Sequence, residues 1–189
     1  MNTPLHMAEF PDVTPRMAKV VQQLHMLATG GHAADEIFGA GEIIPRLWDL
    51  TSIHDPDLRF DTWKWLEAFV CWFNTQHTWF SNDQIPPCWP EHPHLIRDIA
   101  TLADQRRTAG EAPTSTALDE WHRYTIPNFL QHTHTARHGC ENNHVSWPGQ
   151  PAHTRHTSQV NISKRHDSTL ADVATLPRSS TRGLHTLGP

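Results

Sequence analysis

Several things are scarce in this chain. Its longest strongly apolar run, Phe69 to Phe73, is far shorter than the ~20 residues that cross a bilayer. Its first residues, Met1-Asn2-Thr3-Pro4-Leu5-His6, form neither a basic nor an apolar leader segment, so no secretory signal is expected. Three cysteines, Cys71, Cys88 and Cys140, show no paired spacing, which argues against a disulfide framework and for a reducing compartment. The apolar fraction, 37%, falls below the near-half of an ordinary globular chain. Nucleophile elbows, Walker loops, dinucleotide fingerprints and His-Glu-x-x-His helices are all missing. Together these absences predict a cytoplasmic, non-enzymatic protein with a modest core and long irregular flanks.

What is plentiful is proline (15), histidine (16) and tryptophan (8). Charge is uneven: residues 1–130 carry 9 Lys+Arg against 17 Asp+Glu, a net −8, and residues 131–189 carry 6 against 3, a net +3. An acidic body gives no general support for nucleic-acid binding. The histidines after His132 would make the tail more basic below pH ~6.5.

Hydrophobic spacing divides the chain into three parts. In residues 1–57, a flexible lead is followed by a short amphipathic helix over 14–29. Thr14 caps it, Pro15 opens it, Met17, Val20, Val21, Leu24 and Leu27 line one face, and Gly30-Gly31 stops it. His32 to Arg59 is broken by Gly39, Gly41, Pro45 and Pro56 and is expected to be mostly loop. Residues 58–130 form the expected core: a small three-helix domain, all-α in class. Its first helix is capped by Asp61 and carries Trp63, Leu66, Phe69, Val70, Phe73 and His77, with Trp65, Trp72 and Trp79 off that line. Cys71, flanked by Val70 and Trp72, is expected to be buried and inert. Ser81-Asn82-Asp83 should end this helix.

A second helix starts at Pro93, carries Leu95, Ile96, Ile99, Leu102 and Ala103, and ends near Arg106-Arg107, whose charges suit a helix C-terminus. A third, begun by Thr116 and Asp119, should kink or end at Pro127. Residues 131–189, rich in Thr, Ser, His, Arg and Pro, are too poor in large apolar side chains to offset chain entropy, which predicts a disordered C-terminal tail.

Between the first two core helices lies Ile85-Pro86-Pro87-Cys88-Trp89-Pro90-Glu91-His92-Pro93-His94, a proline-stiffened elbow. Cys88-x3-His92 with His94, joined by His122 from the third helix, supplies nitrogen and sulfur donors of the kind that hold zinc. Cys140-x3-His144 repeats the spacing within the expected tail. Against this, Cys88 between Pro87 and Trp89 equally suits a small apolar filler. Asp119 and His122 have the spacing of an acid–base couple, although a solvated helix face explains them as well. The surplus tryptophan beside arginine has the composition of a binding hot spot. Trp89, Arg97, Trp121 and His122 are therefore the expected interaction residues.

The run Trp63-x-Trp65-Leu66-x5-Trp72, then Ile85-Pro86-Pro87-Cys88-Trp89-x2-His92-Pro93-x-Leu95, then Glu120-Trp121-His122 resembles an uncharacterised actinobacterial domain of plasmids, phages and integrative elements. The resemblance covers roughly residues 60–130 and carries no assigned activity. It implies an accessory protein of a mobile element. Two functions follow as expectations. One is an interaction module with a protein partner, no cofactor and no membrane association. The other is a zinc-stabilised accessory protein that binds nucleic acid and uses Cys88, His92, His94 and His122.

Overall fold

The computed structural model describes residues 7–30, 44–78, 80, 83–136, 140 and 154–175. Gly31, His32, Gly39, Gly41, Trp79, Ser81, Asn82 and His144, which figured in the sequence reading, lie outside the described residues. The chain forms two units, 1–145 and 146–189. It is all-α, and the described residues hold no strand beyond one isolated bridge between Arg46 and Asp49.

Helix α1 (Pro15–Thr29) starts as its sequence dictates. Thr14 accepts a hydrogen bond from the Met17 amide, Pro15 supplies the fixed φ of the first turn, and Gly30, at φ 69°, ends it. Met17 and Val20 then enter the same core as the later helices, so no boundary in the packing falls at residue 57. The Thr14 hydroxyl also donates to Asp61 at 2.9 Å, and Arg16 meets that carboxylate at 2.8 Å.

Helix α2 (Pro56–Gln76) begins earlier than expected. Asp55, not Asp61, is its cap, accepting from the Asp57 amide at 3.1 Å. An Asx turn and a helix N-terminus use the same side-chain-to-backbone bond, so Asp55-Pro56-Asp57 suits either until the following residues decide. Asp61 is left to anchor α1. The helix ends at His77, before Ser81-Asn82-Asp83. Leu58, Trp65, Leu66, Phe69, Val70, Trp72 and Phe73 are buried. Lys64, Glu67, Ala68, Cys71 and Thr75 form the exposed strip. Cys71 is therefore exposed, not buried. Its apolar chain neighbours misled because adjacent helical residues point about 100° apart.

The lead is not loose over its described part. Trp65 and Trp72 donate their indole N–H groups to the Pro11 and Ala8 carbonyls, each at 3.0 Å. Phe10 meets the rings of Trp65, Phe69 and Trp72 edge-on. Two off-line tryptophans thus fasten the lead to α2. In the expected loop, Asp49 accepts from the Thr51 amide and opens a 3₁₀ turn, Leu50–Ser52, while Ile44, Leu47, Leu50 and Ile53 are buried.

Helix α3 (Pro93–Glu111) packs Leu95, Ile99, Leu102 and Ala103 into this core. Its two terminal arginines do not act on the helix dipole. Arg107 pairs with Asp104 at 2.8 Å and Glu111 at 2.9 Å. Arg106 lies over the rings of Phe10, Trp72 and Trp121, 5.0–5.7 Å from their centroids. Burial there pushes its pKa below the usual arginine value.

The last helix of the unit passes through Pro127. Helix α4 (Thr116–Glu120) runs into a π turn, Trp121–Thr125, and then into α5 (Ile126–Ala136). A proline in a regular α-helix clashes with the carbonyl four residues back. The wider π coil ends just before Pro127, where the Ile126 amide bonds the Trp121 carbonyl. Within the expected tail, the described residues are 131–136 of α5, buried Cys140 and the second unit's helix, with α6 at Gln159–Ala174. No helix among the described residues is long and apolar enough to cross a membrane.

Candidate metal centre

The elbow is held at its start, middle and end. Asn74 of α2 clamps its first residue, accepting from the Ile85 amide at 2.8 Å and donating to the Ile85 carbonyl at 3.0 Å. Three successive turn bonds then coil it: Trp89 N–H to Pro86 O, Glu91 N–H to Cys88 O, and His92 N–H to Trp89 O. Trp89 faces inward from the 3₁₀ turn Trp89–Glu91, 2% exposed, packed on the Trp63 ring at 5.5 Å and donating to Glu67 at 3.3 Å. At the far end the Ile96 amide bonds the His92 carbonyl and begins α3. One helix-like turn separates Cys88 from His92, so both side chains face the same way.

Cys140 meets them there. The His92 Nε2 atom lies 3.4 Å from Cys88 Sγ and 3.5 Å from Cys140 Sγ. All three donor atoms lie within 4.8 Å of one another, the one such cluster of metal-ligand type found among the described residues. His92 and Cys140 are each 3% exposed, and Cys88 opens partly to solvent. Burial, and then the neighbouring Cys140 thiol, push the Cys88 pKa above its ordinary value. Without a cation that shift keeps the Cys88 thiol protonated; a bound divalent metal would reverse the preference.

The other expected ligands stand apart. The His94 ring lies edge-on to His92 at 5.7 Å, and its nitrogens do not join the cluster. On the π turn, His122 has Nδ1 2.7 Å from the Leu118 carbonyl and its ring against His77 and Trp121. Its helical neighbour Asp119 pairs with Arg123 at 2.8 Å, so the suggested acid–base couple does not form. Cys140 was the member of the cluster that sequence reasoning undervalued. The signal was present in the repeated Cys-x3-His spacing, but the polar composition around it argued for a tail with no fixed position.

Of the expected interaction residues, Arg97 is exposed, with 74% of its side chain accessible, and His122 is exposed. Trp89 and Trp121 are each 2% exposed and belong to the core, which removes them from any surface. Their burial has a specific cause: each indole N–H finds an acceptor inside, on Glu67 and on the Leu102 carbonyl.

His122 lines a cleft of about 480 Å³ with His77, Phe80, Asp83, Pro127 and His134. Burial, the facing His122 and Arg106 lower the His77 pKa from 6.5 to about 4, and its buried Nε2 has no hydrogen-bond partner. The unfolded chain therefore takes up this proton near pH 6.5 and the folded chain only near pH 4. Stability from a neutral His77 is complete above pH ~6.5 and is lost as pH falls toward 4. Because the ring is only half-buried, on the order of 1–2 kcal/mol is expected. Thermal melts of wild type and His77→Phe from pH ~7.5 to ~4.5 check this; equal slopes would show that His77 titrates normally.

No protein-family model, curated protein or solved structure matches this chain.

Proposed function

We propose that this chain is a non-enzymatic interaction module stapled by zinc, with Cys88, His92 and Cys140 as ligands. One observation carries the reading: a single imidazole nitrogen faces two thiol sulfurs at 3.4 and 3.5 Å. Zn–S and Zn–N bonds of ~2.3 and ~2.05 Å at a tetrahedral angle require a sulfur–nitrogen edge of about 3.6 Å. Both sulfur–nitrogen edges already stand close to the spacing the ion would impose. Two soft sulfurs with one imidazole select zinc over magnesium or calcium, which take oxygen.

A stabilising role fits the burial better than a catalytic one. His92 and Cys140 are almost fully enclosed, and the ligands join the elbow to a residue 48 positions further on from His92. Closing so long a loop is where a metal cross-link restricts the unfolded chain most. The partner surface then lies with exposed groups, Arg97 and His122 among them, and the elbow's resemblance to mobile-element domains makes an accessory role its natural setting. Elemental analysis of tag-free full-length protein tests the reading. One zinc per chain is expected, and cobalt substitution should give thiolate-to-metal charge-transfer absorption. Less than about a tenth of an equivalent after zinc supplementation would refute it.

A further inference from the structure

The described tryptophans fall into two groups by what their N–H does. Trp65, Trp72, Trp89 and Trp121 all donate to protein acceptors. Among the described residues Trp48 and Trp63 donate to none, although both are half-buried. They line one cleft of about 330 Å³ between the Leu50–Ser52 turn, α2 and the start of α3.

Two arginines complete that cleft, Arg59 and Arg97. The guanidinium groups of Arg16, Arg107 and Arg123 are all held by carboxylates at 2.8 Å. Arg59 has no ion pair among the described residues, and Arg97 has only a loose contact with Asp98 at 3.8 Å, its side chain 74% exposed. Pro93, at the first position of α3, also lines the cleft, and no side chain caps that helix terminus. Its dipole adds to the positive field of the arginines. On the opposite wall Thr51 fixes the Asp49 carboxylate, an acceptor for N–H groups.

We propose that this cleft binds a nucleotide, its base against Trp48 and Trp63 and its phosphate at Arg59, Arg97 and the α3 terminus. Indole faces with guanidinium groups are the apparatus by which proteins hold unpaired bases, worth ~1–3 kcal/mol per stacked base. A cleft of this size takes one residue of a strand or a free mononucleotide. The net −8 of residues 1–130 disfavours a long polyanion or a duplex. The site stands independently of zinc: its test reads nucleotide binding, and the metal proposal is read by elemental analysis.

Fluorescence anisotropy of a labelled ten-residue oligothymidylate, titrated with full-length protein, is the first measurement. An unlabelled thymidine or adenosine monophosphate competitor forms the second arm. Both arginines are exposed, so Arg59→Ala/Arg97→Ala should melt like wild type and bind at least about tenfold more weakly. Trp48→Leu, which keeps an apolar wall and removes the stacking face, should weaken binding about fivefold or more. Displacement by monophosphate assigns the site to free nucleotides; binding of the oligonucleotide alone assigns it to a strand. The proposal is overturned if neither probe binds at about millimolar protein. It is equally overturned if the double variant binds as wild type while Lys164→Ala/Arg165→Ala loses binding, which would place the interaction on α6.

Discussion

Chelation of zinc from the full chain is expected to lower its melting temperature by roughly 8–16 °C. A ligand that binds only the folded state at a concentration a thousandfold above its dissociation constant contributes about 4 kcal/mol. For a chain of this length each kcal/mol moves the melt by about 2–4 °C. The shift is that of a stabilised fold and not of an all-or-none metal peptide, because the apolar core from Met17 to Phe129 exists apart from the ligands. Cys140→Ser should abolish most of the zinc response: the substitution removes one sulfur and leaves Cys88 and His92 with too few donors. Cys71→Ser is the matched control, an exposed thiol on the outer strip of α2, and should change neither zinc content nor melt. A thiol count separates the metal from its nearest rival. Two sulfurs flanking one ring could oxidise to a disulfide, in which case reductant, and not chelator, would lower the melt. An unchanged melt in chelator together with a wild-type Cys140→Ser would remove the metal centre.

The fold class was legible because helix signals are local. Thr14-Pro15, Pro93 and Gly30 each act within one turn of themselves, and α1 and α3 lie close to where periodicity put them. The Cys–His cluster was half legible for the same reason. Cys88 and His92 are neighbours in one turn, whereas Cys140 reaches them through tertiary structure that composition does not encode. Composition averages over a segment, and a single buried cysteine in polar sequence is invisible to it. Tryptophan misled in the opposite direction. Eight indoles in a small chain look too many to bury, but Trp65 and Trp72 are consumed in fastening the lead, a use that depends on Pro11 and Ala8 arriving from far along the chain. Pro127 was read as a kink or an end because proline does not fit the interior of a regular α-helix. The π turn Trp121–Thr125 gives the coil a wider path, and no local rule places such a turn.

That turn is also where the core is most exposed to a single substitution. Trp121→Ala is expected to cost about 3–5 kcal/mol, the range for removing a large buried aromatic. The ring is 2% exposed, lies 6.3 Å from Trp72 and 5.4 Å from His77, and forms one wall of the Arg106 site at 5.7 Å. Its loss leaves a cavity, strips one aromatic face from a desolvated cation and removes the indole donor to the Leu102 carbonyl. Against a total stability of ~5–15 kcal/mol, the variant would fold only marginally. Trp121→Phe keeps an aromatic face for Arg106 and should lose about 1–2 kcal/mol, recovering most of the deficit. Tyr124, three residues on in the same π turn and 66% exposed, provides the contrast: Tyr124→Ala should stay within ~0.5 kcal/mol of wild type. In a regular α-helix residues three apart share a face, so a large cost at 121 with none at 124 reports both the burial and the displaced register of the wide turn. Urea unfolding of the three variants decides the point. A Trp121→Ala cost below about 1 kcal/mol would mean that the indole does not fill the core between α2 and α3.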